Sequence, residues 1–413
     1  MLSIIINAYA CSPNMGSEPG MAWNWCVNLA NYCELHIITE EEFRDKIEEV
    51  LPTLPQGKNM HFYYNTISDR VRKMCWNQGD WRFYLHYKKW QKHTLKIAKD
   101  ICLKYHIDVI HQLNMVGFRE PGYLWKMENI PFVWGPIGGM NLLPVKFLRD
   151  APLKQRLFAR MKNVITDYQR RFDLRIIKAM NKADVRIAAT KGAFDFIDSY
   201  YSLPVVLINE TGCSNININR MYDIDSSQFN ILWVGRFIET KQLYLAMDTL
   251  SRVVHLKNIH LHIVGQSVNA CTTEKYIKYA KDIGISSCCT FYGQIDNSEV
   301  QKLMQNSQLF FFTSIMEATS TVILEAISNK LPILCFNTCG FGPIVNERIG
   351  AKIELTTKQN AIVEFANIIE YMYNNPNVLE QMSANCYSVQ QTLTWESKVK
   401  KILELYNKAI DNK

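Results

Sequence analysis

Short apolar segments alternate with amphipathic helical segments along most of this chain, and this alternation restricts its fold more than any other feature. In the first half, strands are predicted at residues 2–8, 35–39, 60–64, 109–112, 132–134 and 185–189. Helices are predicted between them, as at 20–32, 84–105 and 153–181. Apolar strands separated by helices form parallel sheets with helices on both faces. The first half is therefore predicted to be a doubly wound α/β domain.

The second half repeats the pattern after a predicted linker at 201–210. Its strands are predicted at 205–208, 229–234, 259–264, 289–292, 309–313, 333–335 and 352–354. A chain of 413 residues is also too long for one ordinary core. We therefore expect two Rossmann-like domains, 1–205 and 206–395, facing each other across a deep cleft, with the last helix, about 396–413, packing back on the first. In such folds the ligand binds at the carboxyl ends of the strands.

Two carboxylates eight residues apart, Glu317 and Glu325, flank the hydroxyl-rich turn Thr319-Ser320-Thr321. The turn joins an apolar strand to a helix, and amides at a helix N-terminus favour an anion such as phosphate. Glu325 lies about two helical turns further on and could face the same cleft. This pattern is typical of a nucleotide-sugar site. Alternatively, the spacing arises by chance and the turn is a simple helix cap.

Two cationic residues, Arg236 and Lys241, lie in the loop between the predicted strand 229–234 and the helix after it. Gly235 and Arg236 follow the strand, and Lys241 precedes the helix. Arginine can grip a diphosphate as a fork, and lysine acts as a point charge. The alternative is a pair of solvated surface charges.

The loop after the first strand contains Gly16, Ser17, Glu18 and Gly20 and opens onto a helix. This is the position of the phosphate-binding turn in doubly wound folds, although the GxGxxG pattern is absent. The alternative is an ordinary strand-to-helix loop.

His111 ends another predicted strand and is expected to face the cleft, although a lone histidine there is often a core residue. Gly138 and Gly139 follow a further strand end, and Arg119 and Glu120 lie in the loop after His111. We assign these four residues to the acceptor side.

Together these elements resemble the donor domain of retaining GT-B glycosyltransferases of family 4. The resemblance rests on Gly235-Arg236 with Lys241, on the Glu317-x7-Glu325 element and on Gly340-Phe341-Gly342. In the first half, the motifs at 16–20, 118–122 and 134–139 resemble a subgroup associated with bacterial surface-polysaccharide and lipopolysaccharide synthesis. The sequence departs from the family pattern at Ala318, where glycine is usual, and lacks a glutamate after Gly340.

The resemblance implies roles for individual residues. Arg236 and Lys241 would bind the donor pyrophosphate together with the amides of Thr319, Ser320 and Thr321. Glu325 would hold the ribose hydroxyls, and Glu317 the sugar hydroxyls near the reacting carbon. Residues that would border the base are Gly265, Gln294 and Ile295. The loop with Gly16, Ser17, Glu18 and Gly20 would approach the diphosphate, and His111 the transferred sugar. The catalytic residues would be His111, Glu317, Arg236 and Lys241.

The predicted activity is retaining transfer of a sugar from a nucleotide-diphosphate sugar to a glycan or lipid-linked glycan. No cofactor and no metal ion are expected beyond the nucleotide sugar. A sugar-nucleotide epimerase of the same architecture and a non-catalytic membrane-associated scaffold remain alternatives. A glycoside hydrolase would not need the two phosphate-binding cations.

The basic residues are unevenly distributed. Residues 1–205 hold 28 Lys and Arg against 20 Asp and Glu, whereas residues 206–413 hold 18 against 19. Segment 70–104 interleaves basic and aromatic residues, and 146–191 is a second basic stretch. Segment 70–104 could lie on an anionic membrane, or its aromatic side chains could pack inward. No nucleic-acid motif accompanies it, so nucleic acid is not expected as a partner.

The sequence shows neither a membrane-spanning apolar run nor a signal peptide. The 12 cysteines lack paired zinc-ligand spacing and are expected to be free thiols. We expect a cytoplasmic protein, which would be peripheral on the inner face of the cytoplasmic membrane if segment 70–104 binds lipid.

Overall fold

The structure is a computed structural model that describes residues 1–76, 80–148, 151–213, 215, 217–218, 228–266, 270–318 and 320–413. Its contacts divide the chain into two compact units. The first unit comprises Met1–Met140, Ile165–Thr211 and Trp395–Lys413, and the second comprises Asn141–Val164 and Gly212–Thr394.

The first unit contains a parallel sheet of seven strands, ordered β3-β2-β1-β4-β5-β6-β7. The strands are β1 (Leu2–Ala8), β2 (Cys33–Glu40), β3 (Met60–Asn65), β4 (Val109–Asn114), β5 (Phe132–Ile137), β6 (Val185–Ala188) and β7 (Val206–Leu207). The helices are α1 (Ser17–Leu29), α2 (Arg44–Val50), α3 (Asp69–Trp76), α4 (Phe83–Cys102), α5 (Leu153–Phe172), which begins in the second unit, α6 (Leu174–Lys182) and α7 (Lys191–Phe196).

The second unit contains a parallel sheet of six strands, ordered β10-β9-β8-β11-β12-β13. The strands are β8 (Phe229–Val234), β9 (Ile259–Val264), β10 (Cys289–Gly293), β11 (Leu309–Phe312), β12 (Ile333–Phe336) and β13 (Gly350–Ile353). The helices are α8 (Leu243–Val253), α9 (Ala270–Asp282), α10 (Asn297–Asn306), α11 (Thr321–Ser328), α12 (Lys358–Asn374) and α13 (Pro376–Leu393). The last helix, α14 (Trp395–Asp411), belongs to the first unit.

Apolar strands form these sheets because both faces of each sheet are covered. On β1, Ile4 and Ile6 contribute to one hydrophobic cluster, and Ile5 contributes to another. The same alternation distributes the side chains of β11 between two clusters of the second unit. Successive side chains of a strand point to opposite faces, so a strand buried on both sides must be apolar throughout. The predicted pair of doubly wound, Rossmann-like domains is confirmed.

The strand order reverses once in each sheet, between β1 and β4 and between β8 and β11. At such a point the loops leaving the two strands diverge and open a crevice at the carboxyl edge of the sheet. The two reversals therefore indicate where polar side chains of each unit can bind a ligand.

Three details differ from the sequence-based expectations. The segment Val206–Leu207 pairs with β6 in the first sheet and does not begin the second domain. The predicted helix 153–181 is two helices, because the side chain of Asp173 accepts hydrogen bonds from the amides of Arg175 and Ile176 and caps α6. Residues Asn141–Val164, placed by prediction in the first domain, belong to the second unit.

No helix in the described part of the chain is long and apolar enough to cross a membrane. Within the same residues, no group of three or more His, Cys, Asp and Glu side chains could hold a metal ion. The eleven cysteines whose side chains are described are free thiols.

Candidate functional site

The topological reversal of the second sheet brings together two loops predicted to be functional. The loop after β8 carries Gly235, Arg236 and Lys241, and the loop after β11 carries Ser314 and Glu317. The backbone amide of Ile315 donates to the carbonyl of Thr240 at 2.9 Å, which ties the two loops together.

Lys241 and Glu317, 76 residues apart in the sequence, form an ion pair at this point. Lys241 Nζ lies 2.5 Å from Glu317 Oε1, and the two side chains are 11% and 20% exposed. Ser314 Oγ donates to the same carboxylate oxygen at 2.8 Å. The lysine also lies over the ring of Phe312, 5.0 Å from its centroid. A half-buried cation and a carboxylate are therefore held together at the crevice, and the cation is already paired.

Thr313 positions this lysine through the backbone. Its hydroxyl donates to the carbonyl of Lys241 at 2.7 Å and accepts a hydrogen bond from Trp233 Nε1 at 2.9 Å. The threonine is fully buried. The sequence analysis did not single out Thr313 or Ser314. Their position at the end of β11, beside the predicted Glu317, was the available signal.

The loop after β12 holds Glu317 from the other side. The amide of Glu317 donates to Cys339 Sγ at 3.1 Å, and the amide of Gly340 donates to the carbonyl of Ala318 at 3.0 Å. Burial raises the pKa of the Cys339 thiol to about 11, so the thiol stays neutral. The sequence did not indicate Cys339 as part of the site, because the family pattern has a glutamate in this loop.

Arg236 lies one residue beyond Gly235 and is exposed. Among the described residues its guanidinium has neither a hydrogen-bond nor an ion-pair partner. Its guanidinium is therefore available to an anionic ligand.

The N-terminus of α11 follows Ser320, whose side chain makes no capping hydrogen bond, and Thr321 is exposed. Thr319, which was also predicted to bind phosphate, lies outside the described residues. The backbone amides of the first turn of α11 provide the partial positive charge that favours an anion.

Glu325 has surroundings different from those of Glu317. It lies within α11, where Gln301 Nε2 of α10 donates to its Oε2 at 3.3 Å. Asn329 Nδ2 in turn donates to Gln301 Oε1 and to the backbone carbonyl of Glu325. Burial raises the pKa of the Glu325 carboxyl, and the hydrogen bond from Gln301 opposes this shift. The two glutamates therefore belong to separate hydrogen-bond groups of one unit.

Gly265 follows β9 with φ +127°, and a Cβ there would lie 1.9 Å from the carbonyl oxygen of Gly235. No side chain fits at this position, because the loops after β8 and β9 are in backbone contact. Gln294 follows β10 and accepts a hydrogen bond from Gln266. Ile295 is half-buried against the hydrophobic cluster that contains residues of α11. The residues predicted to border the base thus lie on adjacent strand ends of the second sheet.

In the first unit, Glu18 lies at the topological reversal of its own sheet. Its Oε1 accepts a hydrogen bond from the amide of Val116 at 3.0 Å, joining the start of α1 to the loop after β4. Burial raises the pKa of Glu18. Gly16 and Ser17 are exposed beside it, whereas Gly20 is buried, and a Cβ there would lie 1.8 Å from the carbonyl oxygen of Met15. This loop presents the N-terminus of a helix of 13 residues.

His111 does not face a crevice, and its predicted catalytic role is corrected. The side chain is fully buried, with Nε2 2.7 Å from the carbonyl of Gly135 and Nδ1 2.6 Å from the hydroxyl of Tyr406. Because a carbonyl only accepts, Nε2 carries the proton and Nδ1 accepts from Tyr406. Burial lowers the pKa of His111 to about 4, so the ring is neutral. His111 fastens α14 to the first sheet and has no free ring nitrogen for a sugar.

Arg119 and Glu120, predicted on the acceptor side, are likewise engaged within the first unit. Arg119 donates to Gln169 Oε1 and Thr166 Oγ1 on α5, at 2.6 and 2.7 Å. Glu120 is 5% exposed and accepts a hydrogen bond from Arg175 at 2.8 Å. A buried, paired carboxylate does not contact an acceptor, so the assignment of Glu120 is corrected.

The two glycines assigned to the acceptor side differ in access. Gly138 is buried, and its amide donates to the carbonyl of Val116 at 2.7 Å. Gly139 is exposed, with φ +75°. Only Gly139 of this pair presents its backbone at the surface.

Segment 70–104 divides between core and surface. Phe83, Tyr87 and Trp90 are buried in the first unit, as the inward-packing alternative predicted. Its exposed large apolar residues in the described part of the chain are Trp76, Trp81, Tyr84, Leu85 and Leu103. Residues 77–79 lie outside the described residues.

Comparison with known proteins links the second unit to sugar transfer. Residues 214–389 match the family described as glycosyl transferases group 1. Over 176 residues the chain is 27% identical to Protein CapJ of Staphylococcus aureus, a match covering 41% of this chain and 44% of that protein. The chain thus spans less than half the length of this curated relative.

Two solved structures resemble the whole chain. The lipopolysaccharide outer core galactosyltransferase WaaB has a TM-score of 0.64 and 16% identity, with 100% of this chain and 99% of that chain covered. The HepE protein of Anabaena, solved in complex with UDP, has a TM-score of 0.60 and 14% identity, with 99% and 100% covered. The fold is that of a GT-B glycosyltransferase. Residues 214–389 thus match a glycosyltransferase family, and the whole chain shares the GT-B fold.

Proposed function

We propose that this protein transfers a sugar from a nucleotide-diphosphate sugar to a glycan or lipid-linked glycan, with retention at the anomeric carbon, in bacterial surface-polysaccharide synthesis. The observation that carries the proposal is the ion pair of Lys241 with Glu317 at the topological reversal of the second sheet, with the exposed Arg236 on the same loop as Lys241. That HepE was solved with UDP and WaaB acts in lipopolysaccharide synthesis supports the donor class and the pathway.

In the proposed reaction, the bond between the anomeric carbon and the β-phosphate oxygen breaks, and a bond to the acceptor hydroxyl forms on the same face. The acceptor proton passes to the leaving phosphate. Arg236, Lys241 and the amides at the start of α11 stabilise the charge that develops on the diphosphate. These groups take the part of a metal ion, and the proposal requires none.

The two glutamates have separate roles in this proposal. Glu317 accepts hydrogen bonds from the sugar hydroxyls, and Glu325 accepts them from the ribose. On donor binding, Lys241 exchanges part of its contact with Glu317 for the phosphate. Glu317 is not assigned as a covalent nucleophile, because its carboxylate already contacts Lys241 and Ser314.

A thermal-shift screen with UDP-, GDP-, ADP- and TDP-sugars tests the donor class, since a ligand that binds the folded state raises its melting temperature. We expect one nucleotide to stabilise the wild type and not an Arg236→Ala/Lys241→Ala variant. NMR of the product with the selected donor then reports the anomeric configuration.

Donor turnover without an acceptor separates the proposal from its alternative. An epimerase would convert the donor with no acceptor present, whereas a transferase would give only slow hydrolysis. Failure of every nucleotide to shift the melting temperature would refute the enzymatic proposal and favour a scaffold. The acceptor is proposed to lie at the inner face of the cytoplasmic membrane, with the protein bound peripherally through segment 70–104.

A further inference from the structure

Helix α5 is amphipathic, but unlike an ordinary surface helix it turns its polar face toward the protein and its apolar face toward solvent. The side chains on its inward-facing side are small or polar, at spacings of four, three and four residues: Ala159, Asn163, Thr166 and Arg170. A helix that packs only against its own protein turns its apolar stripe toward the core. Packing against its own protein therefore does not explain why α5 has so many apolar residues.

Hydrogen bonds hold this inward face in place. The Asn163 amide exchanges two hydrogen bonds with the backbone of Leu143, both at 2.8 Å. Arg170 Nη1 donates to the carbonyl of Met140 at 2.9 Å. The orientation of α5 about its axis is thus fixed by specific polar contacts.

The outward face of α5 is almost entirely apolar. Eight of its side chains are between 47% and 75% exposed: Leu153, Leu157, Phe158, Met161, Val164, Ile165, Tyr168 and Phe172. At about 100° per residue they cover an arc of about 140°, opposite the four inward-facing residues. No other helix in the described part of the chain exposes more than two large apolar side chains.

The charges around this face are positive. Helix α5 has six Lys and Arg and one acidic residue, Asp167. Among the described residues, no ion pair engages Lys154, Arg156 or Arg160. Arg156 and Arg160 also line a cavity of about 810 Å³ with Lys146 and Lys358, in which Asp248 is the only acidic lining residue. By the same count of about 100° per residue, Lys154 lies at the N-terminal end of the apolar arc, Arg160 at its edge and Arg156 nearer the inward-facing side. An apolar face with cations at its end and edge is complementary to a layer of acyl chains below anionic headgroups.

A second copy of the chain suits this face less well. Two α5 helices packed face to face would bring the cationic borders of one beside those of the other, and like charges in contact are destabilising. We propose that α5 lies in the interfacial region of an anionic membrane, with its outward face among the acyl chains and Lys154 and Arg160 at the lipid phosphates. The inference rests on the proposed membrane association, which it moves from segment 70–104 to α5, and does not rest on the transfer reaction.

Vesicle co-sedimentation of the full chain tests the inference. The wild type should bind vesicles of phosphatidylcholine and phosphatidylglycerol at 70:30 more tightly than pure phosphatidylcholine. A Leu157→Glu/Met161→Glu/Val164→Glu variant should lose at least tenfold in partitioning, because three charges would enter the apolar layer. Lys154→Gln/Arg160→Gln should lose roughly 25-fold, at about fivefold per basic residue. A milder Leu157→Ser/Val164→Ser variant should lose about fivefold and serves if the first variant fails to fold.

A matched control places the same three charges elsewhere. Tyr32→Glu/Val254→Glu/Tyr371→Glu replaces exposed apolar residues outside α5 and outside segment 70–104, and should bind within twofold of wild type. Wild-type binding that survives the α5 changes would overturn the inference while leaving membrane association intact. No wild-type binding would overturn both. A wild-type dimer in light scattering that dissociates in the Leu157→Glu/Met161→Glu/Val164→Glu variant would show a protein interface instead. The thermal shift with UDP tests the transfer site independently of all three results.

Discussion

Replacing Lys241 with Ala and Glu317 with Gln in separate proteins distinguishes the phosphate end of the proposed donor site from its sugar end. In the structure Lys241 Nζ and Glu317 Oε1 lie 2.5 Å apart. If both served the phosphate, or if both were structural, the two changes would weaken nucleotide binding alike. The proposal instead predicts opposite effects on UDP, which has the diphosphate but no sugar.

The magnitudes follow from the contacts. A hydrogen bond to a charged group contributes about 1.5–3 kcal/mol net, so Lys241→Ala should weaken UDP binding by about 10- to 150-fold. Glu317→Gln removes the carboxylate that competes with the phosphate for Lys241 Nζ. Breaking this ion pair, whose side chains are 11% and 20% exposed, costs on the order of 1 kcal/mol. Without it, UDP should bind equally well or up to about fivefold more tightly. Sugar transfer by Glu317→Gln should nevertheless fall about 100-fold, because the sugar loses its carboxylate contact.

Isothermal titration with UDP and initial-rate kinetics with the UDP-sugar chosen by the screen measure the two effects. Lys257→Ala is a suitable control, because this exposed lysine lies after α8 in the same unit. It should bind UDP as the wild type does. If Glu317→Gln weakened UDP binding as much as Lys241→Ala, the separation of roles would be refuted. Unchanged UDP affinity in Lys241→Ala would remove the lysine from the phosphate site altogether.

Three further changes test other parts of the structure. The pKa of His111 is about 4 when folded and about 6.5 when unfolded, so the stability due to its neutral form is complete above pH 6.5 and is lost as pH falls toward 4. The loss amounts to about 3 kcal/mol, and denaturant unfolding of His111→Gln should show a correspondingly weaker dependence on pH. Gly265→Ala should lower the melting temperature and abolish UDP binding, because its Cβ would overlap the carbonyl of Gly235. Glu325→Gln should weaken UDP binding about tenfold and 2′-deoxy-UDP binding by less, because the deoxyribose keeps only the 3′-hydroxyl.

Control variants elsewhere in the chain, or a stated contrary outcome, check each of these predictions. Gly284 also has a positive φ but open space around it, so Gly284→Ala should cost far less stability than Gly265→Ala. Glu299→Gln on α10 should not alter the preference for ribose. An unchanged pH dependence in His111→Gln would contradict the burial argument, and equal effects on UDP and 2′-deoxy-UDP in Glu325→Gln would exclude the ribose role.

The strands could be predicted from the sequence because each is a short apolar run whose burial on both faces leaves little choice of structure. Predicted and observed bounds coincide for β1, β8 and β9. The failures involve interactions between distant residues. The two residues of β7 belong to the first sheet because they pair with β6, and an apolar pair of residues does not specify its partner strand. The contacts of His111 with Gly135 and Tyr406 are equally invisible in sequence spacing.

For the candidate site, the residues could be selected from the sequence but their pairing could not. Residue type and strand ends were enough to select Arg236, Lys241, Glu317 and Glu325. The pairing of Lys241 with Glu317 depends on two loops that meet only after β8 and β11 become neighbours. For α5, the 3.6-residue period gives an apolar and a polar face, yet it does not determine which face turns inward. Only the contacts of Asn163, Thr166 and Arg170 resolve that choice.

Arg119 and Glu120, which the sequence assigned to the acceptor side, have a structural role in the observed contacts. Arg119 donates to Thr166 and Gln169 of α5, and Glu120 pairs with Arg175 of the following helix. Both residues therefore help to fix α5 and α6 on the first unit. If α5 binds the membrane as proposed, Arg119 affects a lipid-linked acceptor by orienting the helix that meets the bilayer, without touching the acceptor. Arg119→Ala should accordingly reduce vesicle binding and leave UDP affinity unchanged, whereas an acceptor-contacting arginine would impair transfer to a soluble acceptor fragment with vesicle binding intact.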